Sequence, residues 1–315
     1  MATKALLCDG VAKKAVTMLA EAGFEIEETP ALKENDLIDR LRARPVECLV
    51  VRSSTTVTQP VFVSAGGLKL VGRAGVGVDN IDVKAATAAK VKVMNTPGGN
   101  ANAVVELTLG FMLALARQIP KADRSMKSGQ WEKKTLKGIE LKGKVLGLLG
   151  VGRIGAEVAR RAKAFGMSIL GYDPYLDEKT LRSVCEPVKT PEDIYRRSDF
   201  ISIHTPLTDE TRGMVSHEAF DLMKPGVRII NAARGGILDE KALMRYLHDG
   251  KVAGAALDVY SEEPPAYKAL LEDERLILTP HIGAATGESQ DTCAEMLSSQ
   301  IIEFFKSNRA INVVN

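Results

Sequence analysis

The chain has 315 residues, 45% of them hydrophobic, enough to bury two cores of ordinary size. Its 42 basic and 40 acidic residues leave a net charge of +2, so no charge excess marks a nucleic-acid binder. No apolar run approaches membrane-span length, and the short apolar stretch after Met1-Ala-Thr-Lys reads as a first strand rather than a signal peptide.

Residues 1–98 alternate apolar runs (4–8, 24–27, 48–51, 69–71, 91–94) with helical stretches near 11–22 and 34–43. That alternation predicts a small α/β domain with a flavodoxin-like sheet and no dinucleotide fingerprint. Residues 99–118 read as a helix that is apolar around most of its circumference and interrupted by Pro120. Such a helix must be buried on several sides, between domains or in a dimer interface. Cys8, Cys48, Cys185 and Cys293 are scattered, without C-x-x-C spacing or a nearby histidine. They fit reduced, mostly buried thiols of a cytosolic protein, not a disulfide or metal framework.

From residue 145 the pattern becomes more specific. The apolar run 145–149 leads into Gly150, Gly152 and Gly155, spaced G-x-G-x-x-G, and then into a helical stretch from Arg153 to Phe165. A second run, 168–172, delivers Asp173, 18 positions after the last glycine. Strand, glycine turn, helix, strand and acid make a complete βαβ unit for a dinucleotide. Gly150 allows the tight turn, Gly152 the approach of a pyrophosphate, and Gly155 close packing of helix on strand. The helix start offers free N–H groups to phosphate. A carboxylate at Asp173 suits ribose hydroxyls and repels a 2′-phosphate, so the expected cofactor is NAD rather than NADP.

Further strands are expected at 199–203, 227–231, 253–257 and about 275–279, giving six in a doubly wound Rossmann sheet of order 3-2-1-4-5-6. Thr190-Pro191 with Asp193 reads as a capped helix start, and Asp239-Glu240 opens a helix ending near Gly250. Three residues follow strand ends, where a substrate cleft is expected: Arg234, Glu263 and His281. An arginine fork suits a carboxylate. A histidine can take a hydroxyl proton, and a buried glutamate beside it would fix its tautomer and favour the imidazolium. The set fits hydride transfer between a 2-hydroxy acid and a nicotinamide. His204 also ends a strand and competes for the histidine's role. The last helical pattern, Gly287 to Asn308, is expected to return to the first domain. The domains are then 1–98 plus 286–315 for substrate and 99–285 for NAD.

Several strings together carry a family resemblance: Val51-Arg-Ser-Ser-Thr, Gly72-Arg-Ala-Gly-Val-Gly-Val-Asp-Asn-Ile-Asp, Val93-Met-Asn-Thr-Pro-Gly-Gly-Asn, Gly150-Val-Gly-Arg-Ile-Gly, Gly171-Tyr-Asp-Pro, His204-Thr-Pro-Leu, Asn231-Ala-Ala-Arg-Gly-Gly, Ala255-Ala-Leu-Asp-Val-Tyr-Ser-Glu-Glu-Pro-Pro and Pro280-His-Ile-Gly-Ala. Over nearly its whole length the chain resembles the D-isomer-specific 2-hydroxyacid dehydrogenases. The resemblance implies Arg234, Glu263 and His281 as catalytic residues and moves His204 to the cofactor. It places Arg153 and Ile154 along the pyrophosphate, Asp173 on the adenosine ribose, and Thr205-Pro206 beside the adenine. Ala232, Ala233, Asp258, Gly283 and Ala284 would lie toward the nicotinamide. Val76-Gly77 would give backbone N–H groups to the substrate carboxylate, with Val76 also near the cofactor, and Arg52 and Arg73 would line the cleft. Lys133, Lys134 and Lys137 are further candidates for a phosphate-bearing substrate.

The activity implied is NAD-dependent oxidation of 3-phosphoglycerate, as in serine synthesis. Glyoxylate or hydroxypyruvate reduction is the near alternative, and an NAD-sensing co-repressor-like role the distant one. A cytoplasmic homodimer is expected, with no metal, nucleic-acid or membrane partner. Longer relatives continue into a serine-sensing domain, so a chain that stops at Asn315 is expected to lack that feedback.

Overall fold

The computed structural model describes residues 2–315, which fall into two compact units, 2–101 with 284–315 and 102–283. The first is built on five parallel strands, β1 (Lys4–Leu7), β2 (Glu25–Glu28), β3 (Cys48–Val51), β4 (Leu70–Arg73) and β5 (Lys92–Met94), in the order β2-β1-β3-β4-β5. Helices α1 (Lys13–Glu21), α2 (Glu34–Ala43), α3 (Gln59–Ser64) and α4 (Val83–Ala88) make the crossovers. Register explains the continuous apolar runs. Leu6 pairs with Leu49, Leu49 with Val71, and Val71 with Val93, all facing one core. Their neighbours Ala5, Leu7, Cys48, Val50, Leu70 and Met94 face a second core on the opposite side. Both faces are covered, so neither set of alternate positions can be polar.

The second unit holds helices α5 (Ala101–Arg117) and α6 (Ile119–Lys127), then strands β6 (Val145–Leu149), β7 (Ser168–Tyr172), β8 (Glu186–Pro187), β9 (Phe200–Ile203), β10 (Val227–Asn231), β11 (Val252–Leu257) and β12 (Leu276–Leu278). Between them run α7 (Arg153–Ala164), α8 (Glu178–Val184), α9 (Pro191–Arg197), α10 (His217–Leu222), α11 (Glu240–His248) and α12 (Lys268–Glu272). The sheet order is β12-β11-β10-β9-β6-β7-β8, all parallel. This is the doubly wound arrangement with one strand more than the apolar pattern predicts. The extra strand is β8, only two residues and one of them proline, too short to leave a pattern. It takes the outer position beside β7, so the 199–203 run pairs with β6 rather than lying third at the edge.

Helix α5 buries Val104, Val105, Phe111, Met112 and Leu115 in the core of its own unit. It ends at Arg117; the next residue, Gln118, takes a left-handed φ of 54°, and α6 leaves at a bend of 65°. No single helix among the described residues is long and apolar enough to cross a membrane. Asp239 caps α11 by accepting from Lys241 and Ala242 N–H at 2.9 and 3.0 Å. Thr190 stands at the start of α9 but makes no such cap, its hydroxyl lying 3.5 Å from Asp193 instead. Helix α13 (Gly287–Ser307) packs in the first unit, burying Ala294, Leu297 and Ile301 under the sheet. The four cysteines are free and buried, and burial pushes the Cys8 thiol up to about 12.

Candidate active site

The glycine turn follows β6. Gly150 has φ of +92°, and a Cβ there would lie 2.8 Å from the His204 carbonyl carbon, so only glycine fits. A Cβ on Gly155 would lie 2.3 Å from the Gly150 carbonyl oxygen, which is how closely α7 approaches its strand. Around Gly152 the space is open. No side chain caps α7, whose first residues are Arg153 and Ile154, so its opening N–H groups face outward for an anion.

Beside this turn is a cavity of about 590 Å³, walled by Gly150, Gly152, Asp173, Tyr175, Tyr195, His204, Thr205, Pro206 and Met214. Asp173 accepts from Val151 N–H at 3.0 Å and Tyr175 N–H at 3.0 Å. A carboxylate has about four acceptor positions, so two remain for ribose hydroxyls. The Thr205 hydroxyl is buried without a partner in that wall. Open backbone, uncapped helix start, acid and orphaned hydroxyl all fit a dinucleotide. The His204 ring bonds the Ser202 hydroxyl at 2.9 Å, and burial pushes it down to about 4, so it is neutral at pH 7. A neutral, half-buried imidazole facing the cavity is a wall, not an acid.

The loops after β10, β11 and β12 converge. Asn231 closes β10, and its side chain accepts from Ala233 N–H at 3.1 Å and donates to the Arg234 carbonyl at 2.9 Å. This bracing shapes the Ala232-Ala233-Arg234 turn. The Arg234 guanidinium donates to Ala233 O at 2.7 Å. A Cβ on Gly235 would sit 1.7 Å from the Tyr260 carbonyl oxygen, so the arginine turn lies directly against the loop after β11. There Tyr260 N–H donates to Glu263 Oε1 at 3.1 Å, and Glu263 Oε2 meets His281 Nδ1 at 2.8 Å. The buried Asp258 carboxylate holds the histidine loop, accepting from the Thr279 hydroxyl (2.5 Å), Ile282 N–H (2.8 Å) and Gly283 N–H (2.7 Å). His281 itself has φ of +53°, a left-handed conformation that its neighbours must enforce.

Arg234, Glu263 and His281 are thus linked loop to loop within one unit. One expectation needs correcting: Glu263 is not buried, its side chain being 39% exposed. Its proline-rich loop leaves it at the surface, so the pair is a wet one whose strength comes from geometry rather than low dielectric. Asn231, Tyr260 and Thr279 were not foreseen as parts of the site. Asn231 carried a signal, since an asparagine at a strand end before Ala-Ala-Arg-Gly bonds its own following backbone.

The first unit carries Arg52 just past β3, Arg73 as the last residue of β4, and Val76 and Gly77 beyond it. The Arg52 N–H donates to Asp9 Oδ2 at 2.7 Å, and Asn80 Nδ2 donates to the Arg52 carbonyl at 2.9 Å. The Arg73 guanidinium occupies the space that a side chain at residue 75 would need, which is why Gly75 follows it. Ala284 begins the second segment of this unit.

Residues 109–283 match the sequence model of the D-isomer specific 2-hydroxyacid dehydrogenase NAD binding domain. The chain is similar to D-3-phosphoglycerate dehydrogenase of Sus scrofa, with 46% identity over 312 residues, 99% of this chain and 58% of that protein. The same-named enzyme of Methanocaldococcus jannaschii is 47% identical over 313 residues, 99% of this chain and 59% of that one. The chain therefore spans less than two thirds of the length of these relatives. A solved structure of NAD+-bound 3-phosphoglycerate dehydrogenase from Entamoeba histolytica is 32% identical, covers 100% of this chain and 99% of its own, and superposes with a TM-score of 0.85.

Proposed function

Because the chain belongs to the D-isomer specific 2-hydroxyacid dehydrogenase family, we propose that it oxidises D-3-phosphoglycerate at C2 to 3-phosphohydroxypyruvate, the first step of serine synthesis. The cofactor is NAD, which when bound supplies the carbon that takes the hydride from C2. His281 receives the hydroxyl proton on Nε2, the ring nitrogen not engaged by Glu263. Glu263 holds the ring and offsets the charge that then develops on it. Arg234 provides a fork for a carboxylate, and in the first unit Val76-Gly77 offer main-chain N–H groups to a carboxylate. Arg52 and Arg73, with Lys133, Lys134 and Lys137 as further candidates, answer the charge of the phosphate.

The observation that carries the reaction type is the 2.8 Å Glu263–His281 pair, in the same unit as a dinucleotide cavity. The choice of acid is supported by the 46–47% identity to enzymes acting on phosphoglycerate. Steady-state NAD reduction with D-3-phosphoglycerate, run beside glyoxylate and hydroxypyruvate reduction with NADH, tests it. We expect kcat/KM at least about tenfold higher for the phosphorylated acid, with KM for that acid rising in Arg52→Ala and Arg73→Ala. Preference for glyoxylate or hydroxypyruvate would overturn the substrate, and NAD binding with no turnover would overturn the activity.

The same reading carries a cytoplasmic homodimer. Ile119, Met126 and Trp131 stand exposed on and just after α6, a run of large apolar side chains suited to a second copy. Sedimentation velocity at micromolar concentration is expected to give the dimer, and a monomer there would remove this assignment.

A further inference from the structure

The turn Gly75-Val76-Gly77, to which the reading above gives the substrate carboxylate, is tied by its first two carbonyls to the residues just after β5. Thr96 N–H donates to Gly75 O at 2.9 Å, and Asn95 Nδ2 donates to Val76 O at 2.6 Å. In a trans peptide the C=O of one residue and the N–H of the next point in opposite directions across one plane. Pinning the Gly75 carbonyl therefore aims the Val76 N–H, and pinning the Val76 carbonyl aims the Gly77 N–H, both away from residues 95–96. Among the described residues neither of these N–H groups is spent on a protein acceptor. The two bonds set the direction of the two donors.

We propose that Asn95 is a positioning residue for substrate binding, and that Gln300 and Asn312 lock it in place. Gln300 lies on α13 with 5% exposure, a buried amide that needs partners. In the amide orientation that satisfies both ends, its nitrogen donates to Asn95 O (3.2 Å) and Ile311 O (3.0 Å), and its oxygen accepts from Asn312 Nδ2 (3.0 Å). Asn95 N–H in turn donates to Asn312 O at 3.3 Å. Asn312 adopts a left-handed φ of 52°, which asparagine tolerates better than most residues. Three amides from two distant stretches of chain thus hold one carbonyl at the mouth of a substrate turn. Asn95 acts through Val76 and Gly77 and does not itself touch the acid.

This inference rests on the functional reading above, and its test separates the two. In Asn95→Ala the KM for the 2-hydroxy acid should rise about tenfold, while the KM for NAD stays within about twofold. Gln300→Met keeps the volume, removes the lock and should raise the acid KM about threefold. Asn95→Gln keeps an amide donor and should recover part of the loss. A purely structural role would lower urea stability without splitting the two KM values. If Asn95→Ala fails to fold, Gln300→Met and Asn312→Ala carry the same comparison. An unchanged acid KM in the folded variants, or acid and NAD values rising together, overturns the proposal. Absence of wild-type turnover on any 2-hydroxy acid overturns the functional reading, and this inference with it.

Discussion

Glu263 Oε2 lies 2.8 Å from His281 Nδ1, and the other oxygen of the same carboxylate accepts the Tyr260 main-chain N–H at 3.1 Å. One carboxylate therefore fixes both its own loop and the imidazole. A neutral ring so held carries its proton on Nδ1 and leaves Nε2 as the base. We expect His281→Asn, which suits the left-handed backbone, to lower kcat/KM by about 10² to 10⁴ while retaining NAD binding. Glu263→Gln can present an amide N–H to the ring and favour the wrong tautomer, so kcat should fall about 10- to 100-fold. Steady-state kinetics beside NADH fluorescence titration separates the two effects. Near-wild-type turnover in either variant would remove the pair from the mechanism.

Asp173 has two tasks, and its substitution should show both. Asp173→Ser removes the charge that repels a 2′-phosphate, so the ratio of kcat/KM for NADP over NAD should rise at least about tenfold. It also strips Val151 and Tyr175 N–H groups of a charged acceptor, which should lower stability by about 1–3 kcal/mol. A variant with unchanged cofactor preference would reduce Asp173 to a turn residue.

Asp258 takes three hydrogen bonds on a buried carboxylate, two of them from the main chain beside His281. Asparagine can replace one oxygen only by placing its NH2 against an N–H or hydroxyl donor. Asp258→Asn should therefore cost about 1–3 kcal/mol in urea unfolding without cofactor, and kcat should fall with it. Full stability in that variant would mean the loop is held by something else.

His204 gives a pH dependence with a definite sign. Its ordinary value is 6.5 and burial lowers it to about 4 in the folded chain. Above pH 6.5 both folded and unfolded chains are neutral there, and nothing is lost. As pH falls through that window the unfolded chain takes the proton first, so stability declines down to about pH 4. The loss should reach about 2 kcal/mol, below the full value for the shift because the residue is only half-buried. His204→Gln, which cannot titrate, should lose correspondingly less between pH 7.5 and 4.5. Parallel unfolding curves for the two proteins at both pH values would contradict the assignment.

Most of the sheet architecture was legible because both faces of each sheet are buried, which writes strands as unbroken apolar runs such as Cys48–Val51 and Phe200–Ile203. The glycine fingerprint was legible because close backbone approach excludes every other residue at Gly150. Strand β8 was not, since two residues held by one neighbour leave no periodicity. The short helices α3 and α4 passed unnoticed for the same reason. The exposure of Glu263 was misread because loop shape, not composition, decides burial. The Gln300–Asn312–Asn95 lock was invisible because its members are polar, isolated, and up to 217 positions apart in the chain.

A parallel sheet ends on each side in a bare rim of main-chain donors and acceptors, and in the first unit β5 is one of the two. Asn315 covers it by imitation: its side-chain amide accepts from Val93 N–H and donates to Val91 O, both at 2.8 Å. Beside it Val314 N–H donates to Val93 O at 2.8 Å, and Val313 bridges Met94 in the antiparallel sense. A neighbouring molecule seeking to extend the sheet at this rim finds its docking groups already taken, so a few residues guard this edge against sticking to its own kind.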